Sequence, residues 1–220
     1  MNVPFVVPVL AAFDAWDLFG WAGTAIFAWR TLGQWISSER AKQSVVPARF
    51  WSWSLLGSAL LVVYAVSPHR REPVFLLGAL VNGCFFARSW WLARHGGGVP
   101  HTRTVLWPGV LGLVAFAAIV IEAVGPNHGL VRFDYGLFWM FVGFAGQAFW
   151  IGRLVVQAIT SERLGRSVLP ESFFWMSLAG ALLLLAYAIF RRDWPNVMGY
   201  GPNAIPYARN LMLMRRRPPA

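Results

Sequence analysis

Residues 30–40 read Arg-Thr-Leu-Gly-Gln-Trp-Ile-Ser-Ser-Glu-Arg, and residues 153–163 read Arg-Leu-Val-Val-Gln-Ala-Ile-Thr-Ser-Glu-Arg. At the same offset of 123, residues 30–65 match residues 153–188 at 17 of 36 positions without a gap. Shared apolar composition would produce a few identities, but it does not explain the matched arginine, glutamine, glutamate and proline positions. After a contraction of two residues the pairing resumes at Glu72/Asp193, Gly78/Gly199, Asn82/Asn203 and Arg88/Arg209. The chain therefore contains a duplication.

The composition excludes most soluble proteins. Of the 220 residues, 57% are hydrophobic and 13% are charged, whereas an ordinary globular domain has roughly 25% charged residues. The mean hydropathy is +0.52, and a helix that crosses a bilayer needs about 20 mostly apolar residues. Seven such helices leave short loops and no room for a soluble catalytic domain of normal size. Because Cys84 is the single cysteine, a disulfide scaffold is also excluded.

Seven apolar stretches are predicted to form transmembrane helices, which makes the fold all-α. Their expected bounds are 17–36, 50–67, 73–92, 104–124, 136–157, 173–190 and 197–213. Each copy of the duplication holds three of them, and the single helix between the copies gives both copies the same orientation. The predicted domains are an N-terminal segment at 1–16, a first triple-helix repeat at 17–95, a linker with one helix at 96–130, a second triple-helix repeat at 131–214 and a basic tail at 215–220.

This 3+1+3 layout is similar to that of the SWEET and PQ-loop carriers, which also consist of two parallel triple-helix repeats. Transporters built from two repeats commonly hold their substrate near the interface between the repeats. The likeness is one of topology, since the Pro-Gln pair that names the PQ-loop group is absent from the first predicted helix of both copies.

Basic residues between the predicted helices indicate how the chain is oriented. With the N-terminus outside, ten Lys and Arg residues fall on the cytoplasmic side and five fall on the outer side. Membrane proteins carry an excess of positive charge on the cytoplasmic side, so this distribution predicts an outer N-terminus and a cytoplasmic C-terminus. The net charge of +10 is then a topology signal, and nucleic acid is not an expected partner.

The first predicted helix of each copy carries a stripe of small and polar residues. The first copy has Gly20, Gly23, Phe27, Arg30, Gln34 and Ser38, and the second copy has Gly143, Gly146, Trp150, Arg153, Gln157 and Ser161. Spacings of three and four residues place each set on one helix face, where the glycines allow close approach of a neighbouring helix. An arginine inside a span is costly unless it is paired, solvated or snorkelling. Arg30 and Arg153 therefore either snorkel to the headgroups or meet an anionic ligand in a cavity.

Both stripes continue into a Ser-Glu-Arg motif. The motif comprises Ser38, Glu39 and Arg40 in the first copy and Ser161, Glu162 and Arg163 in the second. One interpretation is a helix end in which the glutamate pairs with a neighbouring basic group. The other is a supporting role, in which Glu39 holds Arg30 or Arg88 in place. Neither version is catalytic by itself.

The third predicted helix of the second copy is irregular. Pro202 and Pro206 remove backbone hydrogen bonds and predict a kink or an interruption. A discontinuous helix is typical of transport sites. The polar residues beside the prolines are Asn203, Tyr207, Arg209 and Asn210. The first copy has an arginine at the matching place, Arg88, but neither proline.

Two equivalent turns carry charges of both signs. They read Arg70-Arg71-Glu72-Pro73 and Arg191-Arg192-Asp193-Trp194-Pro195. Either they are solvated loops with local ion pairs, or they contact a lipid phosphate in the outer leaflet. The four histidines lack metal-ligand spacing, and the sequence contains no nucleotide-binding loop, catalytic triad or zinc motif. We therefore expect no metal and no cofactor.

Residues 34–47 read Gln-Trp-Ile-Ser-Ser-Glu-Arg-Ala-Lys-Gln-Ser-Val-Val-Pro, and the second copy follows the same polar pattern. This motif resembles the lipid A biosynthesis N-terminal domain, a small membrane module named for its attachment to some lipid-A-disaccharide synthases. Ala79 and Tyr200 depart from the family pattern at positions where a glutamine is expected, and Ser89 replaces an asparagine. The resemblance implies a bacterial inner-membrane protein of envelope glycolipid metabolism. Synthase activity is not expected, because no glycosyltransferase domain remains once the spans are assigned.

Three functions fit these features. The first is binding or translocation of a phosphorylated lipid or lipid-linked sugar in an arginine-lined cavity between the repeats. Its candidate binding residues are Arg30, Gln34, Arg88, Arg153, Gln157, Asn203, Tyr207, Arg209 and Asn210. The second is a non-transporting accessory or anchor subunit of an envelope glycosyltransferase. The third is a small-solute carrier of the SWEET type.

Overall fold

The computed structural model describes residues 14–41, 48–94, 110–112, 114–119, 121–122, 136–163 and 170–215. Six long helices lie in these ranges: α1 Asp17–Ala41, α2 Ala48–Ala65, α3 Pro73–Arg94, α4 Leu137–Arg163, α5 Glu171–Phe190 and α6 Trp194–Arg215. Residues 110–112, 114–119 and 121–122 are also helical, within the linker helix predicted at 104–124. Since these described ranges contain no β-strand, the all-α class is confirmed.

Three helices contain segments that are long and apolar enough to cross a membrane. These segments are Pro73–Trp91 in α3, Leu137–Gln157 in α4 and Glu171–Phe190 in α5. Large apolar side chains such as Leu137, Phe141 and Ile205 are strongly exposed. Soluble monomers rarely expose extensive apolar surface, so these side chains fit a surface that faces lipid.

The six long helices form a closed ring. Within the first copy α1 contacts α2 and α2 contacts α3, and within the second copy α4 contacts α5 and α5 contacts α6. Between the copies, α3 packs against α4 and α6 packs against α1. The Phe75 side chain of α3 also meets the rings of Tyr187 and Tyr200 in the second copy. In the described part of the chain the backbones of α1 and α3, and those of α4 and α6, do not pack closely. These helices meet through side chains, with Phe27 at 6.2 Å from Phe86 and Trp150 at 6.3 Å from Tyr207 between ring centroids. Each copy is therefore an arc of three helices, and the two arcs meet at both ends.

The linker residues pack against the junction of α3 with α4. The Phe116 ring meets the Phe144 ring of α4 at a centroid distance of 5.6 Å. Gly112 lies against Val81 of α3, where an added Cβ would come within 3.0 Å of a Val81 methyl carbon. The linker helix therefore covers one of the two places where the copies meet.

Glycines at equivalent positions let the first two helices of each copy approach closely. A Cβ added to Gly20 would lie 3.0 Å from the Tyr64 ring, and one added to Gly143 would lie 3.1 Å from the Tyr187 ring. These separations are shorter than ordinary van der Waals contact. The predicted role of the glycines in close helix packing is confirmed.

The turn after the second helix closes in the same way in both copies. The Glu72 N–H donates to the Ala65 carbonyl at 2.8 Å, and the Asp193 N–H donates to the Ala188 carbonyl at 2.9 Å. Because Ala65 and Ala188 are equivalent residues, the first turn is two residues longer than the second. The contraction found in the sequence therefore lies in this turn, and both acids precede the third helix.

A left-handed residue precedes each of these acids. Arg71 has a φ of 46° and Arg192 has a φ of 53°, a region that residues other than glycine adopt infrequently. The same uncommon backbone at two equivalent arginines shows that the duplication preserves the shape of the turn as well as its sequence.

Helix α6 continues without interruption from Trp194 to Arg215. Of the two predicted alternatives at Pro202 and Pro206, the interruption is therefore wrong, whereas the kink stays a prediction. Proline has a fixed φ near −65°, which is a helical value, and each proline removes a single backbone donor. Packing of α6 against α5 and α1 stabilises the helix despite the lost hydrogen bonds.

Candidate functional site

Arg30 of α1 lies among three aromatic rings, one from each helix of the first copy. Its guanidinium carbon is 4.5 Å from the Phe27 ring centroid, 4.6 Å from that of Phe50 and 4.8 Å from that of Phe86. Its Nη1 donates a hydrogen bond to the Oγ of Ser54, a residue of α2 that is fully buried. The ring faces attract the cation, so Arg30 is directed towards its neighbouring helices.

Arg153 of α4 has the same surroundings in the second copy. Its guanidinium carbon is 3.6 Å from the Trp150 ring centroid and 5.4 Å from that of Phe173. Its Nη1 donates to the Tyr207 hydroxyl at 2.8 Å and to the Ser177 hydroxyl at 3.3 Å. Each of these four partners is the sequence equivalent of a partner of Arg30. We call Arg30, Arg153 and their aromatic and hydroxyl partners the arginine layer.

The two cations of the arginine layer have no acidic partner among the described side chains. Arg30 and Arg153 are close enough for their charges to repel each other. Among the side chains that the structure describes, no carboxylate oxygen lies within 4.0 Å of either guanidinium. The Nε of Arg30 is buried and has no hydrogen-bond partner there. An anion between the two arginines would supply the missing charge, and a guanidinium presents parallel N–H groups that match a phosphate.

A second polar cluster connects the two copies. The Tyr64 hydroxyl of the first copy donates to Asp193 Oδ1 of the second at 3.0 Å. The Tyr187 hydroxyl of the second copy donates to Glu72 Oε1 of the first at 2.6 Å. Arg191 Nε lies 2.7 Å from Glu72 Oε2 and completes an ion pair between the copies. We call these five residues the brace.

The carboxylates of the brace are deeply buried, although they lie in turns. Glu72 is 2% exposed and Asp193 is 1% exposed. Burial raises the pKa of Glu72 above its ordinary value, against the opposing effect of Arg191. Burial also raises the pKa of Asp193, against the opposing effects of Arg70 and Asn196. The interpretation of these turns as solvated loops is wrong for the two acids, which are enclosed where the copies meet, although Arg192 is exposed.

Further contacts surround the residues of the brace. Asn196 donates to Asp193 through its backbone N–H at 3.2 Å and through its side-chain amide at 3.1 Å. Arg70 lies over the Tyr64 ring at 5.2 Å and pairs with Asp17, at the start of α1, at 3.1 Å. The brace therefore ties together the start of α1 and both turns.

Gln147 of α4 is a third polar feature between the copies. It is 0% exposed, and neither its Oε1 nor its Nε2 has a hydrogen-bond partner in the described part of the chain. It lies against Gly78 of α3, where an added Cβ would collide with the amide. The Tyr200 hydroxyl of α6 approaches the Gln147 amide closely enough to interact with it, although the two groups do not reach hydrogen-bond geometry. Buried amides are rarely left without partners.

The predicted site residues have different surroundings in the structure. Arg153 and Tyr207 are in direct contact. The Asn203 side chain instead donates to the Gly199 carbonyl within α6. Arg88 and Gln157 are half-buried on α3 and α4, and Arg40 and Arg163 are exposed at helix ends. The side chains of Gln34, Ser38, Glu39, Ser161, Glu162, Arg209 and Asn210 lie outside the described residues.

Sequence reasoning missed the connection between the copies. Tyr64 and Tyr187 were visible as a matched pair, and so were Glu72 and Asp193, but a repeat alignment pairs equivalent residues rather than contacting ones. Gln147 had no such signal, because its equivalent in the first copy is Thr24. The available clue was that Gln147 is a single polar side chain within an otherwise apolar stretch of sequence.

Comparisons with known proteins agree with the duplication. The sequence model of a family described as the Lipid A Biosynthesis N-terminal domain matches residues 19–91 and 142–212, which is more than half of the chain. The chain is 25% identical to the Lipid-A-disaccharide synthase of Chlamydia felis over 192 residues, covering 84% of this chain and 31% of that protein. It is 26% identical to the Lipid-A-disaccharide synthase of Chlamydia pneumoniae over 191 residues, covering 82% and 30%.

The chain thus spans about a third of the length of these curated relatives. No solved structure matches it, so the topological likeness to SWEET and PQ-loop carriers stays a prediction.

Proposed function

The chain belongs to the Lipid A Biosynthesis N-terminal domain family, and from this premise we propose that it binds the phosphorylated headgroup of an envelope glycolipid between its two copies. The observation that carries the proposal is the arginine layer. Arg30 and Arg153 repel each other and have no carboxylate partner among the described side chains. Uncompensated arginines within apolar spans are expensive, and a phosphate would neutralise both of them.

In this proposal the protein is a multi-pass protein of the bacterial inner membrane. Its seven spans follow the 3+1+3 layout, with repeats at 17–95 and 131–214, an outer N-terminus and a cytoplasmic C-terminus. The ring of two helix arcs supports this layout. In this proposal, movement of one arc against the other would expose a bound headgroup to alternate sides of the membrane.

The remaining candidate residues have supporting roles in the proposal. Tyr207 orients Arg153 through its hydroxyl. Arg88 and Arg209 would add positive charge near the headgroup. The amides of Gln34, Gln157, Asn203 and Asn210 would pair with polar atoms of the headgroup.

The proposal is tested with the Arg30→Ala/Arg153→Ala double variant. The purified protein in mild detergent is examined by native mass spectrometry, and the co-purifying lipids are identified. We expect wild-type protein to retain a phosphorylated glycolipid or a polyprenyl phosphate, and the double variant to lose at least 90% of it while its helical content is unchanged. A phosphate bound by two arginines accounts for this loss, since each charged hydrogen bond contributes roughly 1.5–3 kcal/mol.

The matched control is Arg71→Asn/Arg192→Asn. It removes the same number of positive charges from equivalent positions of the two copies, and asparagine tolerates the positive φ of both turns. The control should retain the lipid. Equal loss of lipid in both double variants would show that net charge, rather than the arginine layer, retains it, and full retention in the alanine variant would refute the proposal.

A second candidate function is that of an anchor for an envelope glycosyltransferase. It is favoured by one observation: the matched relatives are named Lipid-A-disaccharide synthase, and this chain covers only about 30% of their length. The anchor function predicts that a glycosyltransferase co-purifies with the affinity-tagged protein from membranes. It also predicts bulk phospholipid alone in the native mass spectra, unchanged by the arginine substitutions.

A further inference from the structure

The two copies carry different polar residues at one pair of equivalent positions, Thr24 and Gln147. Thr24 of the first copy satisfies its hydroxyl by donating to the Pro195 carbonyl at 3.1 Å. Gln147 of the second copy occupies the equivalent position, is fully buried, and has no partner for either amide atom in the described residues. A buried amide that lacks partners loses the free energy of its hydration. The difference therefore points to a polar group that is supplied from outside the chain.

Gly78 determines how closely a neighbouring helix approaches this amide. An added Cβ at Gly78 would collide with the end of the Gln147 side chain. At the equivalent glycine of the other copy, Gly199, an added Cβ would remain 3.9 Å from Thr24. The glutamine thus reaches across the junction of α4 with α3, where the two copies meet.

Gln147 lies between the brace and the arginine layer. Along α4 it follows Gly143, which contacts Tyr187 of the brace, and it precedes Arg153 by six residues, or roughly 9 Å of helix rise. Aromatic contacts fill this interval. The Trp150 ring meets Tyr200, the neighbour of Gln147, at 5.2 Å and also lies 3.6 Å from the Arg153 guanidinium carbon.

We infer that the Gln147 amide is a subsite for the uncharged polar part of the bound headgroup, a sugar hydroxyl or an acyl amide. This inference rests on the proposed function, in which the arginine layer binds the phosphate of the same molecule. An amide offers one acceptor and two donor hydrogens, which complement a hydroxyl or another amide. A hydrocarbon chain offers neither, so a lipid with a phosphate alone would leave Gln147 unpaired. The subsite therefore selects a phosphorylated sugar lipid over a simple phospholipid.

The test compares two lipids that share a phosphate. Monophosphorylated lipid A, the glucosamine disaccharide lipid, has sugar hydroxyls and acyl amides, whereas phosphatidic acid has neither group on its headgroup. The affinities of both for the full chain in detergent are measured with wild type and with Gln147→Met, which keeps the length of the side chain without its amide. We expect the variant to bind the sugar lipid roughly tenfold more weakly, as for one or two lost hydrogen bonds, and to bind phosphatidic acid as wild type does.

Stability separates this role from a structural one. Gln147→Met removes an unpaired buried amide and should keep or raise the melting temperature. Gln147→Leu provides a second apolar variant if methionine disturbs folding. The matched control is Thr24→Val, which removes a polar group at the equivalent position and should leave the ratio of the two affinities unchanged.

Each outcome is decisive for one of the two proposals. Equal loss for both lipids, or loss for neither, overturns the Gln147 subsite. Failure of the proposed function appears separately, as full retention of both lipids by Arg30→Ala/Arg153→Ala. A changed affinity ratio in Thr24→Val would also overturn the subsite, because the selectivity would then not depend on the glutamine.

Discussion

The brace and the arginine layer come from the same duplication, but they differ in how their charged groups are paired. In the brace each carboxylate accepts a hydrogen bond from a tyrosine of the other copy, at 3.0 Å for Asp193 and 2.6 Å for Glu72. In the arginine layer each guanidinium is surrounded by rings and hydroxyls of its own copy. The brace therefore couples the copies, whereas the arginine layer leaves positive charge between them.

This difference assigns the two regions different roles: the brace stabilises the ring of helices, and the arginine layer is available to bind a ligand. A buried ion pair with complete hydrogen bonding loses several kcal/mol when one member is removed, because the other remains buried and unpaired. A buried cation without an acid already bears that cost. Substitutions in the two regions should therefore have opposite effects on stability.

The largest expected effect comes from removing a brace carboxylate. Asp193→Ala leaves the Tyr64 hydroxyl and the Asn196 amide without their acceptor. We expect the free energy of unfolding to fall by about 3 kcal/mol, within the range for breaking a buried charged network. Equilibrium unfolding in detergent measures the change.

The control for this experiment is Asp193→Asn, which keeps one acceptor oxygen and should lose less than half as much. Equal losses in the two variants would mean that the size of the side chain, not the hydrogen bonds between the copies, stabilises the ring.

A matched substitution of arginine by methionine distinguishes the two regions more sharply. Arg30→Met removes a charge that repels Arg153 and keeps contact with the aromatic rings, so we expect stability to rise by about 1 kcal/mol. Arg70→Met removes the partner of Asp17 and a cation that compensates Asp193, so we expect a decrease of about 1 kcal/mol. Thermal unfolding of both variants in the same detergent shows whether stability rises or falls in each.

A decrease for Arg30→Met as large as that for Arg70→Met would contradict the distinction. It would show that the aromatic contacts of Arg30 stabilise the fold more than its uncompensated charge destabilises it.

The sequence predicted the repeated elements well because repetition and hydropathy are local signals. The predicted helix starts at 17 and 73 agree with Asp17 and Pro73, and the matched glycines do bring helices into close contact. The error at α6 has a physical cause. Rules based on local sequence treat each proline as a helix break. In the structure, packing of α6 against α5 and α1 stabilises the continuous helix.

The site was predicted only in part, since its essential contacts are not local. Arg30 and Arg153 were identified from their place in an apolar stripe. The hydrogen bond from Tyr64 to Asp193 depends on how the two arcs of helices pack together. An internal repeat shows which residues are equivalent, but it does not show how the copies pack. Gln147 was missed because it breaks the repeat, so a search for matched residues passes over it.

A final expected effect is the dependence of stability on pH. Burial raises the pKa of Glu72 and Asp193 in the folded chain, so the folded state binds their protons more tightly than the unfolded state does. Their contribution to stability is therefore fully present below the ordinary carboxyl pKa of about 4, and it is lost as pH rises through the raised folded pKa. The slope is at most about 1.4 kcal/mol per pH unit for each carboxyl. Unfolding measured from about pH 4 to about pH 8 should show stability decreasing, and Glu72→Gln/Asp193→Asn should flatten the profile.

If wild-type stability instead rises with pH and the double variant removes that rise, then the tyrosines, Arg70 and Arg191 outweigh burial. The brace would in that case be a fully compensated ionic lock, and its contrast with the arginine layer would be greater still.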